Sequence, residues 1–161
     1  PGVGAFDHAM ERLTQSGMRA ALDDLALRRR VPILGVCVGM QILGRASDEG
    51  KLPGLGWMDA RVRALGALMS TETLPVPHMG WNDVRPVSRN KLFDGLDRDA
   101  RFYFLHSYYF QCDREEDAIA LSNYGGDFAC AANAANVFGV QFHPEKSHHY
   151  GARLLQNFGE M

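Results

Sequence analysis

Three cysteines are too few and too widely spaced for a disulfide framework. Cys37, Cys112 and Cys130 show no C-x-x-C pairing, and their odd number suits a reducing compartment. No run reaches the roughly eighteen apolar residues of a membrane span, and none has the charged–apolar–small pattern of a secretory signal. We therefore expect a cytoplasmic protein. An excess of charge of one sign is also missing. Seventeen Lys and Arg stand against nineteen Asp and Glu, a net charge of −2, which excludes a strongly basic nucleic-acid binder and a polybasic membrane binder. There is no G-x-G-x-x-G after a strand. The nearest approach, Gly2-Val3-Gly4-Ala5-Phe6, lacks the third glycine, so a dinucleotide-binding reading fails. Repeats and low-complexity tracts are lacking too. What is present is ample material for a core, with nine Phe, five Tyr and two Trp, and a length of 161 residues that suits one domain over 1–161.

Helical spacing runs over 6–30, with Phe6, Met10 and Leu13 and then Met18, Leu22 and Leu25 on one face, and Gly17 marking a break. Val31-Pro32-Ile33-Leu34-Gly35-Val36 is apolar, β-branched and lacks alternation, as strands buried on both faces are. A helix is expected over 38–46, ended by Ser47-Asp48-Glu49-Gly50. Glycine and proline break up 51–90, leaving 57–65 and 84–87 as strand pieces. A helical turn is expected at 92–96 and further strands at 102–105, 119–122, 128–132 and 137–142, the last as a hairpin partner. A closing helix over 149–161 carries Tyr150, Leu154, Leu155 and Phe158 on one face. Together these elements predict a mixed three-layer α/β domain.

The junction Gly35-Val36-Cys37-Val38-Gly39 has the form G-x-C-x-G between strand and helix, the setting of a nucleophile elbow. Glycines on both sides would remove Cβ atoms that collide in a sharp turn. The helix N-terminus beneath Cys37 favours a thiolate, and the Val38 N–H is placed to face a developing oxyanion. A buried structural cysteine is the competing reading; Cys112 and Cys130 lack this context.

A cysteine nucleophile needs a base and a group to orient it. His143 ends the apolar run Val140-Gln141-Phe142 and opens His143-Pro144-Glu145. Pro144 biases His143 toward an extended backbone, where residues i and i+2 share a side. Glu145 can then hold the imidazole. His148 and His149 read as a cap or surface pair, and His78 and His106 as residues of aromatic-rich loops or strand ends. A zinc reading of His143, Glu145, His148 and His149 lacks the helical spacing of such sites, and no metal or cofactor is expected.

These three residues, in this order, resemble the class I (triad-type) glutamine amidotransferases. The likeness covers nearly the whole chain, through Pro1-Gly2-Val3-Gly4, Gly35 to Gln41, Pro77-His78-Met79-Gly80-Trp81-Asn82, His106-Ser107-Tyr108 and Gln141 to Ser147. The PHMGWN and PEKS segments are similar to those of the glutaminase subunits of imidazole glycerol phosphate synthases. The resemblance implies a three-layer α/β fold with a mixed, mostly parallel central sheet flanked by helices. It implies that Cys37 attacks the side-chain amide of L-glutamine, that His143 moves the proton, and that Glu145 orients His143. It implies oxyanion donors from the backbone of Val3 and Val38, the former after a peptide flip. Gly2, Gly4, Gly39, Gln41, Glu49, His106, Ser107 and Tyr108 would hold the substrate. Trp81, Asn82, Tyr103 and Lys146 would face a (β/α)8-barrel cyclase, the heterodimer partner to which ammonia passes in histidine biosynthesis.

The resemblance also implies roughly 40 residues ahead of Pro1, whose strands would otherwise leave a sheet edge unpaired. Two alternatives stay open at the sequence level. Gly54 to Ala60 and His143 to His148 resemble a sibling branch beside surface-sugar biosynthesis, where the same glutaminase chemistry serves another synthase. A non-enzymatic scaffold subunit with an idle triad is the other.

Overall fold

The computed structural model describes residues 1–69, 74–96 and 99–161. In chain order it contains α1 (Phe6–Gln15), α2 (Arg19–Asp23) with a π-turn (Asp24–Arg28), β1 (Ile33–Val36), α3 (Val38–Gln41), β2 (Ala46–Ser47) and β3 (Ala60–Ala64). There follow β4 (His78–Asp83), β5 (Arg85–Pro86), β6 (Arg101–His106), β7 (Tyr108–Cys112), β8 (Ala118–Asn123), β9 (Asp127–Ala134), β10 (Val137–Val140) and α4 (His148–Gly159). The expected break at Gly17 is real: its φ of +71° is open to glycine at no steric cost.

The large sheet has the order β1-β10-β9-β7-β3-β2, with β8 pairing both β9 and β5. A separate ribbon joins β4 to β6. Helices cover both faces, as three layers require. On one face α1 and α3 pack through Phe6, Met10 and Met40 against Val62, Phe110 and Val137. On the other, Leu154 of α4 packs with Val36, Phe102, Phe104, Phe138 and Phe142. β10 shows why its sequence lacks alternation: Val137 serves one core and Phe138 and Val140 the other. Gly139 is pressed so closely by α3 that a Cβ there would lie 2.5 Å from Met40 Cγ.

One part of the expectation is corrected. The sheet is mixed, but among the described residues only β1/β10 and β2/β3 are parallel, and the other ladders are antiparallel. The two-residue link Ala135–Asn136 between β9 and β10 and the three-residue link 124–126 between β8 and β9 are too short for a crossover, so those neighbours must run antiparallel. α3 is also shorter than expected. The carbonyls of Ile42, Leu43 and Gly44 accept from the N–H groups of Leu55, Trp57, Met58 and Gly56, so the 51–58 loop takes the bonds that would prolong the helix. In α4, Leu154 is buried but Leu155 is exposed, with Gly151 and Asn157 completing the buried face instead. Among the described residues no helix is long and apolar enough to cross a membrane.

Candidate active site

Two parallel neighbours, β1 and β10, end at the same level, with Val36 opposite Val140. Cys37 therefore follows β1 just where Gln141, Phe142 and His143 follow β10. This is the C-terminal edge of parallel strands, where open α/β sheets place their ligand sites. The Cys37 N–H donates to the Val140 carbonyl at 2.8 Å, which locks the two ends together.

Cys37 caps α3 with φ 56° and ψ −117°, an uncommon conformation for a residue with a Cβ and the mark of a forced turn. Gly35 makes it possible: a Cβ there would lie 2.5 Å from the Gly39 carbonyl oxygen and 2.8 Å from Met40 Cα. Gly39 does not share this constraint. Its Cβ would meet only Pro1 and Gly2, at 3.8 Å or more. The steric case for glycine thus holds at one side of the elbow and not at the other.

The Cys37 thiol is buried and points to the Leu105 carbonyl at 3.9 Å, with Gln141 Nε2 3.8 Å from the sulfur. Burial pushes its pKa up, outweighing the Val38 N–H, which favours the thiolate; Glu145 raises it further and Lys146 lowers it. The sequence expectation of a thiolate favoured by the helix N-terminus is therefore reversed in the resting chain, because about one turn of helix cannot offset the loss of water. A base is needed to ionise this group.

His143 is the candidate base, although among the described residues no hydrogen bond joins it to the Cys37 thiol. Its backbone is extended (φ −104°, ψ 94°), as expected before Pro144. Its Nδ1 lies 2.8 Å from Glu145 Oε1. A carboxylate only accepts, so Nδ1 carries a proton, and in the neutral ring Nε2 presents a lone pair. Nε2 is buried and has no partner among the described residues. Glu145 reaches its position from a 3-10 turn over Pro144–Lys146 rather than from an extended strand. Ser147, which sequence reasoning did not single out, holds this turn in place. Its Oγ donates to the His143 carbonyl at 2.6 Å and accepts from the Tyr103 N–H at 3.0 Å.

Cys37 and His143 open onto one cleft of about 290 Å³, lined also by Val3, Gly4, Val38, Gln41, Glu49, Leu105, His106, Ser107 and Tyr108. Most residues expected to hold substrate are therefore brought together; Gly2 and Gly39 lie beside it, where Gly2 bridges Cys37. Gln41 is buried and donates to the Tyr108 carbonyl (3.3 Å) and to Gln141 Oε1 (3.0 Å). Glu49 accepts the Phe6 N–H at 2.8 Å, capping α1 while its carboxylate borders the cleft. Gln141 was also missed, although a polar side chain ending an apolar β run is a readable signal.

Trp81, Tyr103 and Lys146 form a second cluster, on the β4–β6 ribbon and the adjoining turn, while Asn82 is not part of it: its side chain turns to the other face of β4, 3.2 Å from His78 Nε2 and 2.9 Å from the Asn123 carbonyl. Trp81, 39% exposed, stacks on His148 with ring planes 3° apart and meets Tyr103 edge-on. Lys146 Nζ lies 5.7 Å from the Tyr103 ring centre.

Comparisons with known proteins show the family and the fold. The family model described as glutamine amidotransferase class-I matches residues 1–160. The imidazole glycerol phosphate synthase subunit HisH of Bdellovibrio bacteriovorus is 57% identical over 161 residues, all of this chain and 79% of that protein. The subunit of the same name from Leptospira interrogans is 51% identical over the same shares. Among solved structures, a glutamine amidotransferase from Thermotoga maritima superposes with a TM-score of 0.62 at 18% identity, covering 99% of this chain. The chain spans only 60% of that structure's length. Another glutamine amidotransferase gives 0.65 at 17% identity, over 91% of this chain and 71% of the other. At such identities these two matches speak to the fold alone.

Proposed function

The chain belongs to the class-I glutamine amidotransferase family, and on that premise we propose that it hydrolyses glutamine to glutamate and ammonia through a Cys37–His143–Glu145 triad. It does so as the glutaminase subunit of an imidazole glycerol phosphate synthase, in histidine biosynthesis. The observation that carries the reading is the buried Nε2 of His143, without a partner among the described residues, on a ring whose Nδ1 is held by Glu145 at 2.8 Å and which shares a cleft with Cys37. The subunit assignment is supported by identities of 51–57% over the full chain to proteins of that name.

His143 Nε2 takes the thiol proton as the Cys37 sulfur attacks the side-chain amide carbon. The carbonyl oxygen becomes an oxyanion beside the Val38 N–H, with the Val3 N–H as second donor once the Pro1–Gly4 loop turns it inward. His143 then returns the proton to the departing nitrogen, which leaves as ammonia, and the glutamyl group stays on sulfur as a thioester. Water activated by His143 releases glutamate. A thiol held neutral by burial fits this order, since the nucleophile forms only when the base is aligned. Gln41, Glu49 and the His106–Tyr108 backbone hold the substrate. Trp81, Tyr103 and Lys146 form the face toward a (β/α)8-barrel cyclase that receives the ammonia.

The test is glutamate release from glutamine with and without the cyclase of the same genome. A low basal rate that rises with the cyclase, and its loss in Cys37→Ala, is the expected result. A Cys37→Ala variant as active as the parent would remove the reading.

A further inference from the structure

We propose that His78, which lies outside the cleft, is a positioning residue of the glutaminase: through His106 it fixes the Tyr108 carbonyl, and with it the Leu105–Tyr108 wall of the cleft. This rests on the glutaminase reading above.

The hydrogen-bond polarity is settled by chemistry at each link. The Tyr108 carbonyl can only accept, so His106 Nδ1, 2.8 Å away, is the donor. A neutral ring protonated at Nδ1 has a lone pair at Nε2, which calls for a donor, and His78 Nδ1 lies 2.9 Å from it. His78 Nε2 is then an acceptor, and Asn82 Nδ2 stands 3.2 Å away. The Asn82 amide is oriented independently. Its Nδ2 also donates to the Asn123 carbonyl at 2.9 Å, and its Oδ1 accepts the Asp83 N–H at 2.8 Å. Every donor in the series points the same way, from Asn82 on β4 to Tyr108 at the start of β7.

Both rings are held in this form. His78 is 3% exposed and His106 5%. Burial lowers their pKa values to about 4 and about 3, with the His143 ring acting on His106 in the same direction. His78 is stacked between Tyr124, 4.1 Å between ring centres, and Phe104, at 4.9 Å, so it cannot turn freely. At the far end, the Tyr108 carbonyl also accepts from Gln41, which donates in turn to Gln141, whose Nε2 faces the Cys37 sulfur. The series thus runs without a gap to the nucleophile.

A purely space-filling role would need the ring and not its N–H. His78→Phe keeps the ring and loses the donor, freeing His106 to place its proton on Nε2 and turn a lone pair toward the Tyr108 carbonyl. His78→Gln keeps one donor and one acceptor. In the full-length protein with its cyclase, His78→Phe should raise KM for glutamine about fivefold, the effect of one lost hydrogen bond, with kcat within about twofold. His78→Gln should recover most of the KM. Parent kinetics in His78→Phe, or equal damage in both variants, would overturn the role. A second measurement covers a variant that does not fold. Nitrogen-15 spectra of the unmodified protein at pH 6 should show His106 neutral and protonated at Nδ1; protonation at Nε2, or a charged ring, would overturn the series. A parent that releases no glutamate would remove the glutaminase reading and this role with it, while the ring spectra still report whether the series exists.

Discussion

Replacing Gly35 with alanine should unfold the elbow from its concave side. The new Cβ would stand 2.5 Å from the Gly39 oxygen, 2.7 Å from the Gly39 carbonyl carbon and 2.8 Å from Met40 Cα. All three are main-chain atoms of α3, so no side-chain rotation relieves the overlap. α3 cannot simply lift away, because the Cys37 carbonyl accepts from the N–H groups of Met40 and Gln41 and Met40 is wedged onto Gly139. Overpacking of this kind costs about 1–3 kcal/mol, and contact with backbone alone puts Gly35→Ala at the upper end, ~3 kcal/mol. That is a large part of the roughly 5–15 kcal/mol that holds a domain together. Gly39→Ala is the matched control. Its Cβ meets nothing nearer than 3.8 Å, and it sits in α3, where alanine is favoured over glycine by ~0.5–1 kcal/mol. Urea unfolding of the two variants beside the parent, compared at equal slope, gives both signs in one experiment. A midpoint that falls for Gly35→Ala and holds or rises for Gly39→Ala is expected. A Gly35→Ala variant within about 0.5 kcal/mol of the parent, or two variants alike, would refute the steric reasoning, since that is the range of substitutions that meet nothing.

Glu145 is 51% exposed in its side chain, so water can partly replace it as the orienting acceptor. Glu145→Gln should therefore lower kcat by about tenfold, while His143→Ala, which removes the acid–base group itself, should cost about a thousandfold; equal losses in steady-state glutamate release would contradict the division of roles. The thiols should separate by alkylation rate against pH. Cys37 should react with a midpoint above the ordinary thiol value of about 8.5, ahead of Cys112, whose pKa is pushed up to about 12 by burial and by Asp117 and Asp113; a midpoint for Cys37 below 7 would show a preformed thiolate instead. Acid should destabilise the fold through His78 and His106. Their folded pKa values, about 4 and about 3, lie below the unfolded value near 6.5, so the unfolded chain binds more protons across that interval. Stability should hold above pH 6.5 and fall as the pH drops through 4 toward 3, by an amount of order a few kcal/mol. Denaturant midpoints that do not change between pH 7 and pH 4.5 would contradict this.

The site was more legible than the scaffold, and the reasons are local. G-x-C-x-G and His-Pro-Glu each carry their geometry in a few adjacent residues, so the elbow and the oriented histidine could be read before any fold was known. β4 was not legible: no strand was expected over 78–83, and His78 read only as a residue of a loop or strand end. His78 faces inward while Met79 and Trp81 face solvent, so the alternation is inverted, polar in and apolar out. The run 101–112 hides a division: β6 pairs with β4 and β7 with β3, and the change of partner falls at Ser107 without a glycine or proline to mark it. Strand direction was legible only at the last strand, where 137–142 read as a hairpin partner and β10 does run antiparallel to β9. Elsewhere it is set by short links such as Tyr124 to Gly126 after β8, which carried no reading in the sequence. The Cys37 pKa went the other way from expectation because burial is a tertiary quantity, fixed by Leu105, Gln141 and the Pro1–Gly4 loop, far away in the sequence.

The most direct test of the triad is the mass of the intact protein, quenched in acid during turnover with glutamine and the cyclase. A single adduct of one glutamyl group, mapped to Cys37, absent from Cys37→Ala and long-lived only in variants slow to hydrolyse the thioester, is the predicted result. Steady glutamate release with no adduct at Cys37, or with undiminished release from Cys37→Ala, would contradict nucleophilic attack by this residue.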